Sequence, residues 1–132
     1  MDQHDQLLAE FARAARSGSK VDDLMQLICH RLHAELVRYN WVGFYLIDPN
    51  NSNFLLLGPH AGSFTPHLRI PLSDGLCGAA ASSGKTEVVN DVMADPRYLM
   101  GSEHTKAEIV VPLLVGGQVA GEFDINSYFK GT

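Results

Sequence analysis

The chain has 132 residues, of which 45% are hydrophobic and 19% charged, and a formal net charge of −5. That length suits one domain with a buried core. The acidic balance, with no basic cluster longer than a pair, argues against nucleic acid and anionic membranes as partners. No run of about eighteen apolar residues is present, and the acidic opening "MDQHDQLLAEF" does not read as a secretory signal. The two cysteines, Cys29 and Cys77, cannot supply a disulfide framework, and the cytoplasm is the expected location.

Residues 4–16 are predicted as a helix with Leu7, Leu8, Phe11 and Ala15 on one side. "SGS" breaks it. Ser19 and Asp22 form a variant capping box, and Leu24, Leu27, Ile28, Leu32 and Leu36 carry a second helix to about Arg38. The period then changes from helix to strand. "WVGFYLID" is a strand closed by a turn over Pro49–Asn53, "FLLLG" is a second, and "HLRIPL" a short third. A short helix around Cys77 follows, then "TEVVNDV" as another short strand. Residues 93–106 have no period and read as a loop or broken helix. "AEIVVPLLV" and "QVAGEFDIN" flank Gly116-Gly117, a two-residue hairpin signal. Helices followed by mostly antiparallel strands make the class α+β, with helices on one face of a sheet.

Alternation assigns the faces. Val42, Phe44 and Leu46 share the face that suits the helices, and Trp41, Gly43, Tyr45 and Ile47 share the other. Trp41 and Tyr45 are roughly 13 Å apart along an extended strand, with a side-chain-free glycine between them. That spacing suits two walls of a slot, and equally two half-buried aromatics under a loop. In the last strand Ala120, Glu122, Asp124 and Asn126 lie opposite the apolar Val119, Gly121, Phe123 and Ile125. If the polar face joins Trp41 and Tyr45, Glu108 and Asp124 rim the slot. Carboxylates beside aromatic rings suit an ammonium ligand. The alternative is an exposed sheet face carrying ordinary charges.

Gly84-Lys85-Thr86 looks like the end of a phosphate-binding loop. The spacing needs a glycine at position 79, where Ala79 stands, and "AAA" before it is helix-forming. Gly84 reads instead as the residue that ends the short helix. Cys77, near the start of that helix, has two readings. The helix dipole would lower its pKa and make it reactive, or it is a small buried residue in a Gly/Ala-rich contact. Cys29, His30 and His33 lack the partners that a metal or haem site requires, so no metal and no cofactor are expected.

Together "NWVGFYLID", "RIPLSDGLCGAAASSGKTEVVNDV", "AEIVVPL" and "GEFDIN" resemble the free methionine-(R)-sulfoxide reductases, which are single GAF domains. The resemblance implies one GAF domain over 1–132, with helices over about 4–38 and the sheet and pocket over about 40–127. It implies a ligand pocket holding Trp41, Tyr45, Glu108 and Asp124, with Asn126 where the family has a second aspartate. It also implies three cysteines, of which this chain keeps one. His67 and Gly101 stand at the first and third positions and Cys77 at the second. Sulfoxide reduction by that chemistry takes one thiolate to attack sulfur and a second thiol to resolve the sulfenic acid.

The expected function is therefore binding of a small polar, amine-bearing ligand, possibly an amino acid or its oxidised form, by a sensor or binding module. The alternatives are an active reductase using Cys77 and an external thiol, and a dimerisation module without ligand. GAF domains commonly close with a C-terminal helix, and this sequence stops at Thr132. Leu7, Leu8 or Phe11 is thus expected to be partly uncovered and to favour a homodimer. The loop 93–106, just before Glu108, is expected to act as a lid.

Overall fold

The computed structural model describes residues 2–18, 20–62, 67–100, 102 and 104–131. Helix α1 (Gln3–Arg16) starts on Asp2, whose side chain accepts a hydrogen bond from the Asp5 amide at 2.8 Å. Helix α2 (Val21–Glu35) follows. Ser19 of the expected capping box lies outside the described residues, and Lys20 is the N-cap, with no side-chain hydrogen bond. The helix also ends three residues before the expected Arg38, because Leu36 turns to an extended conformation (φ −110°, ψ 103°). Leu36 is still buried. Its apolar spacing therefore continues the helical pattern after the backbone has left it.

Six strands follow: β1 (Trp41–Asp48), β2 (Asn51–Gly62), β3 (Arg69–Pro71), β4 (Glu87–Val89), β5 (Ala107–Val115) and β6 (Gln118–Ser127). Helix α3 (Gly75–Ser83) lies between β3 and β4 in the chain. The sheet order is β3-β2-β1-β6-β5-β4, and every neighbouring pair is antiparallel. This is the α+β arrangement expected. Gly116 and Gly117 take positive φ (59° and 80°), as a tight two-residue hairpin requires. Gly84 ends α3 at φ +69°, in the left-handed conformation.

Strand β2 is longer than "FLLLG". It runs over Asn51–Gly62 and so includes Pro59. The register shows how the strand continues: Gly43 pairs with His60 and Tyr45 with Leu57, so β2 spends one extra residue there. The bulge takes up Pro59 without a missing hydrogen bond. The Cys29 thiol of α2 donates to the Pro59 carbonyl at 3.4 Å. Strands β3 and β4 are shorter than expected, at three residues each.

The two faces carry separate cores. On one, Phe44 packs with Met25, Cys29 and Ala61, and Ile28, Leu46, Leu113 and Phe123 join them. Helix α2 lies on this face and α1 lies against α2. Arg31 ties the helices, bonding Glu10 at 2.9 Å and Glu35 at 2.7 Å. Of the α1 residues expected to be uncovered, Leu7 is buried, Phe11 half-buried and Leu8 65% exposed. On the other face, Trp41, Tyr45, Leu55, Ile70, Leu76, Cys77, Ala80, Val92 and Val110 pack under α3.

Trp41 owes its place to two glycines. A Cβ at Gly43 or at Gly62 would overlap the indole ring, so the ring lies flat over bare backbone. A Gly43→Ala variant is expected to lose about 1–3 kcal/mol through overpacking. Urea unfolding followed by Trp41 fluorescence measures it, and an unchanged midpoint would show that the ring simply moves aside.

Candidate functional site

Register brings the polar residues of β5 and β6 beside the aromatics of β1. Trp41 pairs with Asn126, which pairs with Glu108. Gly43 pairs with Asp124, and Tyr45 with Glu122. Because same-face side chains sit in these rows, the expected joining of Trp41 and Tyr45 to Asp124, Asn126 and Glu108 occurs. Helix α3 closes the face, bringing Cys77 in from above. Trp41, Tyr45, Cys77, Glu108, Asp124 and Asn126 all line one cavity of about 30 Å³, together with His67, Ile70 and Leu99.

No open slot separates Trp41 and Tyr45; of the two readings of their spacing, the structure has the packed pair, and both rings are buried. The indole folds over Gly43 and fills the expected gap, so the two rings lie 6.2 Å apart at 38°. The cavity opens beside the rings, toward α3 and the carboxylates. Its volume is that of one or two water-sized bodies.

At the mouth, the Tyr45 hydroxyl donates to the His67 carbonyl at 2.8 Å, and His67 Nε2 donates to the Met100 carbonyl at 2.7 Å. Leu99 lies against Gly75. The segment 93–106, expected to be a loop or broken helix, begins within a 3₁₀ turn (Val92–Ala94) and is anchored by Arg97, which bonds Asp95 and Glu87. Gly101, the residue at a cysteine position of the resembled family, lies outside the described residues.

Two residues of the site were not singled out in the sequence. Thr105, buried, donates to Asn126 Oδ1 at 3.2 Å and fixes that amide. Glu122 is fully buried, and neither of its carboxylate oxygens has a hydrogen bond of ordinary geometry. Its signal was present in the alternation that placed it on the face of Asp124. A glutamate beside a loop strand reads as solvated until α3 is known to cover it.

The GAF domain profile matches residues 20–130. The chain belongs to the GAF domain family. It is 38% identical over 101 residues to the free methionine-R-sulfoxide reductase of Saccharomyces cerevisiae, covering 76% of this chain and 56% of that protein. It is 34% identical over 100 residues to the Escherichia coli enzyme of the same name, covering 76% and 58%. The chain thus spans a little over half the length of these curated relatives. The Neisseria meningitidis free methionine-R-sulfoxide reductase, solved in complex with its substrate, superposes with a TM-score of 0.88 at 32% identity, covering 96% of this chain and 74% of that one. The GAF domain described here is closely related to these reductases.

The pocket of this GAF domain is acidic, and its carboxylates are buried. Burial and the Asp124 carboxylate push Glu108 well above the usual carboxylate range. Burial raises Asp124 as well, opposed by its contacts with Glu108, Asn126 and Cys77. Burial thus opposes ionisation of both carboxyls, and the Asp124 charge adds to this at Glu108. Burial, then Asp124, raises Glu122 to about 8, and the Cys77 thiol beside it pulls the other way. Burial pushes the Cys77 thiol well up, and the Asp124, Glu108 and Glu122 carboxylates add to that. Of the two readings of Cys77, the structure has the small buried residue, and burial with the nearby carboxylates opposes activation by the helix start. Among the described residues lining the cavity there is no lysine or arginine.

Glu122 links this electrostatics to stability. Its proton is retained in the folded protein up to about pH 8 but lost from the unfolded chain near 4.5, so the folded state binds more protons between those values. Stability therefore falls as pH rises through that window, with a slope of up to about 1.4 kcal/mol per pH unit from this group. Melting temperatures of the wild type and Glu122→Gln between pH 5 and 8 measure this. The variant should show a flatter profile, and parallel profiles would refute the assignment.

The segment that carries Leu99 is proposed as the lid of this closed cavity. Amides of residues 97–100 should exchange faster than those of 107–113 in β5. Equal protection in both would mean the cavity does not open by this route.

Proposed function

We propose that this GAF domain binds a small amine-bearing molecule of the free α-amino acid class, as a sensor or binding module. The observation that carries this reading is the pair Glu108 and Asp124. Both are buried and face a cavity with aromatic walls, and Asp124 Oδ1 has no hydrogen-bond partner. An ammonium group would supply the missing donors and charge, with Trp41 and Tyr45 offering ring faces to the cation. An amino acid is larger than the cavity in its closed form, so binding displaces the His67 and Leu99 segments. Structures of related reductases from Neisseria meningitidis and Staphylococcus aureus in complex with substrate support the use of this fold for such a ligand.

The second reading is an active free methionine-R-sulfoxide reductase, favoured by the presence of Cys77 in the wall of the same cavity. Cys77 sulfur would attack the sulfoxide sulfur and take its oxygen, giving methionine and a sulfenic acid. An external thiol would convert the sulfenic acid to a mixed disulfide and water, and a second thiol would free Cys77. His67 stands in the pocket wall where the resembled family has a cysteine, so an internal resolving thiol is not supplied from that position. The raised pKa of Cys77 also favours the binding reading, because only the thiolate attacks.

One set of measurements separates the two. A thermal-shift screen of amino acids and their sulfoxides should give a ligand-dependent rise in melting temperature. Asp124→Ala should weaken that ligand by about 2–3 kcal/mol, the loss of a buried charge-assisted hydrogen bond. Cys77→Ser should leave affinity nearly unchanged. Thioredoxin-dependent turnover of free methionine-(R)-sulfoxide that disappears in Cys77→Ser would replace the binding reading with the reductase. No shift with any of these compounds, together with no turnover, would remove both.

A further inference from the structure

The pocket contains a donor set that amine binding does not use. The Cys77 sulfur, an oxygen of Glu108 and an oxygen of Asp124 all lie within 4.8 Å of one another. They come from three elements, α3, β5 and β6, and each residue is at most 7% exposed. A tetrahedral zinc ion with ordinary bonds has ligand atoms about 3.3–3.6 Å apart, so rotations of about an ångström bring the three donors together. The group has a second, independent mark of a cation site: Asp124 Oδ1 is buried and has no hydrogen-bond partner. Burying such groups without a counter-charge is costly.

We propose that Cys77, Glu108 and Asp124 form a site for a divalent metal ion of the zinc type. A thiolate donor excludes magnesium and calcium as the preferred ions, which take oxygen ligands. Two carboxylates and one thiolate make three protein ligands, and the fourth position faces the cavity of about 30 Å³, which accommodates one bound water. The surroundings suit ligand orientation. The Asn126 amide contacts both Glu108 and Asp124 and is itself fixed by Thr105, and Glu122 lies beside the Cys77 sulfur. Binding releases to solvent the Cys77 proton and any proton carried by Glu108 or Asp124, and the ion's two positive charges then face three negative ligands. This site shares Glu108 and Asp124 with the amine-binding reading but does not rest on it, since Cys77 is required here and dispensable there.

The test is titration of the full chain, stripped of metal under reducing conditions, with cobalt(II) as a spectroscopic stand-in for zinc. A thiolate-to-cobalt charge-transfer band should grow to saturation at one equivalent, and added zinc should abolish it. Cys29→Ser should keep the band, because Cys29 lies on the opposite face of the sheet against Pro59. Cys77→Ser should lose it, and Asp124→Asn should weaken zinc binding by at least about tenfold. No band in the wild type at millimolar cobalt overturns the proposal without reference to any variant, as does a band that survives in Cys77→Ser. An amino acid that raises the melting temperature of metal-free protein showing no cobalt band would sink the metal site alone. A band without any amino-acid shift would sink the amine reading alone.

Discussion

Three carboxylates of β5 and β6 are buried under α3, and no lysine or arginine among the described residues lines the cavity they approach. Much of the pocket side of the sheet is organised around this uncompensated negative charge. Burial and like charge raise the pKa values of Glu108, Asp124 and Glu122 above the usual carboxylate range, and they hold Cys77 as a thiol despite its place in the first turn of a helix. Helix-start activation of a cysteine is a modest effect that operates at the surface. Here desolvation and like charges oppose it, and both are stronger in a buried site.

The sheet separates this charge from the apolar packing that holds the fold. The face toward α2 carries Phe44 and Phe123, whose rings lie 4.6 Å apart and pack with Met25 and Cys29. The opposite face carries the polar rows. A strand that alternates strictly can serve both purposes at once, because successive side chains never share a surface. β6 does this most fully, placing Phe123 in one core and Glu122 and Asp124 in the other environment.

Close approach of backbone to ring gives the pocket its shape. The Trp41 indole occupies the space that side chains at Gly43 and Gly62 would take, with Tyr45 on one side and His60 stacked 5.9 Å away on another. The rings therefore form a wall, and a ligand meets them from the α3 side. At the mouth, His67 takes part in two hydrogen bonds, one from the Tyr45 hydroxyl of β1 and one to the Met100 carbonyl.

The sequence by itself determined the two helices, the strand faces, the Gly116-Gly117 hairpin and the helix end at Gly84, because each depends on local period or on a glycine conformation. Its motifs also determined membership of the GAF family and the face on which Trp41, Tyr45, Glu108, Asp124 and Asn126 would meet. Local pattern could not see the bulge at Pro59, since a bulge is a property of two strands in register. It could not see that the Trp41 ring turns back over Gly43, because that choice is made by the packing around it. Nor could it find the role of Glu122 or the grouping of Cys77 with Glu108 and Asp124. Those donors are separated by long stretches of chain, and only the closure of α3 over the sheet brings them within reach and removes the water that would otherwise screen them.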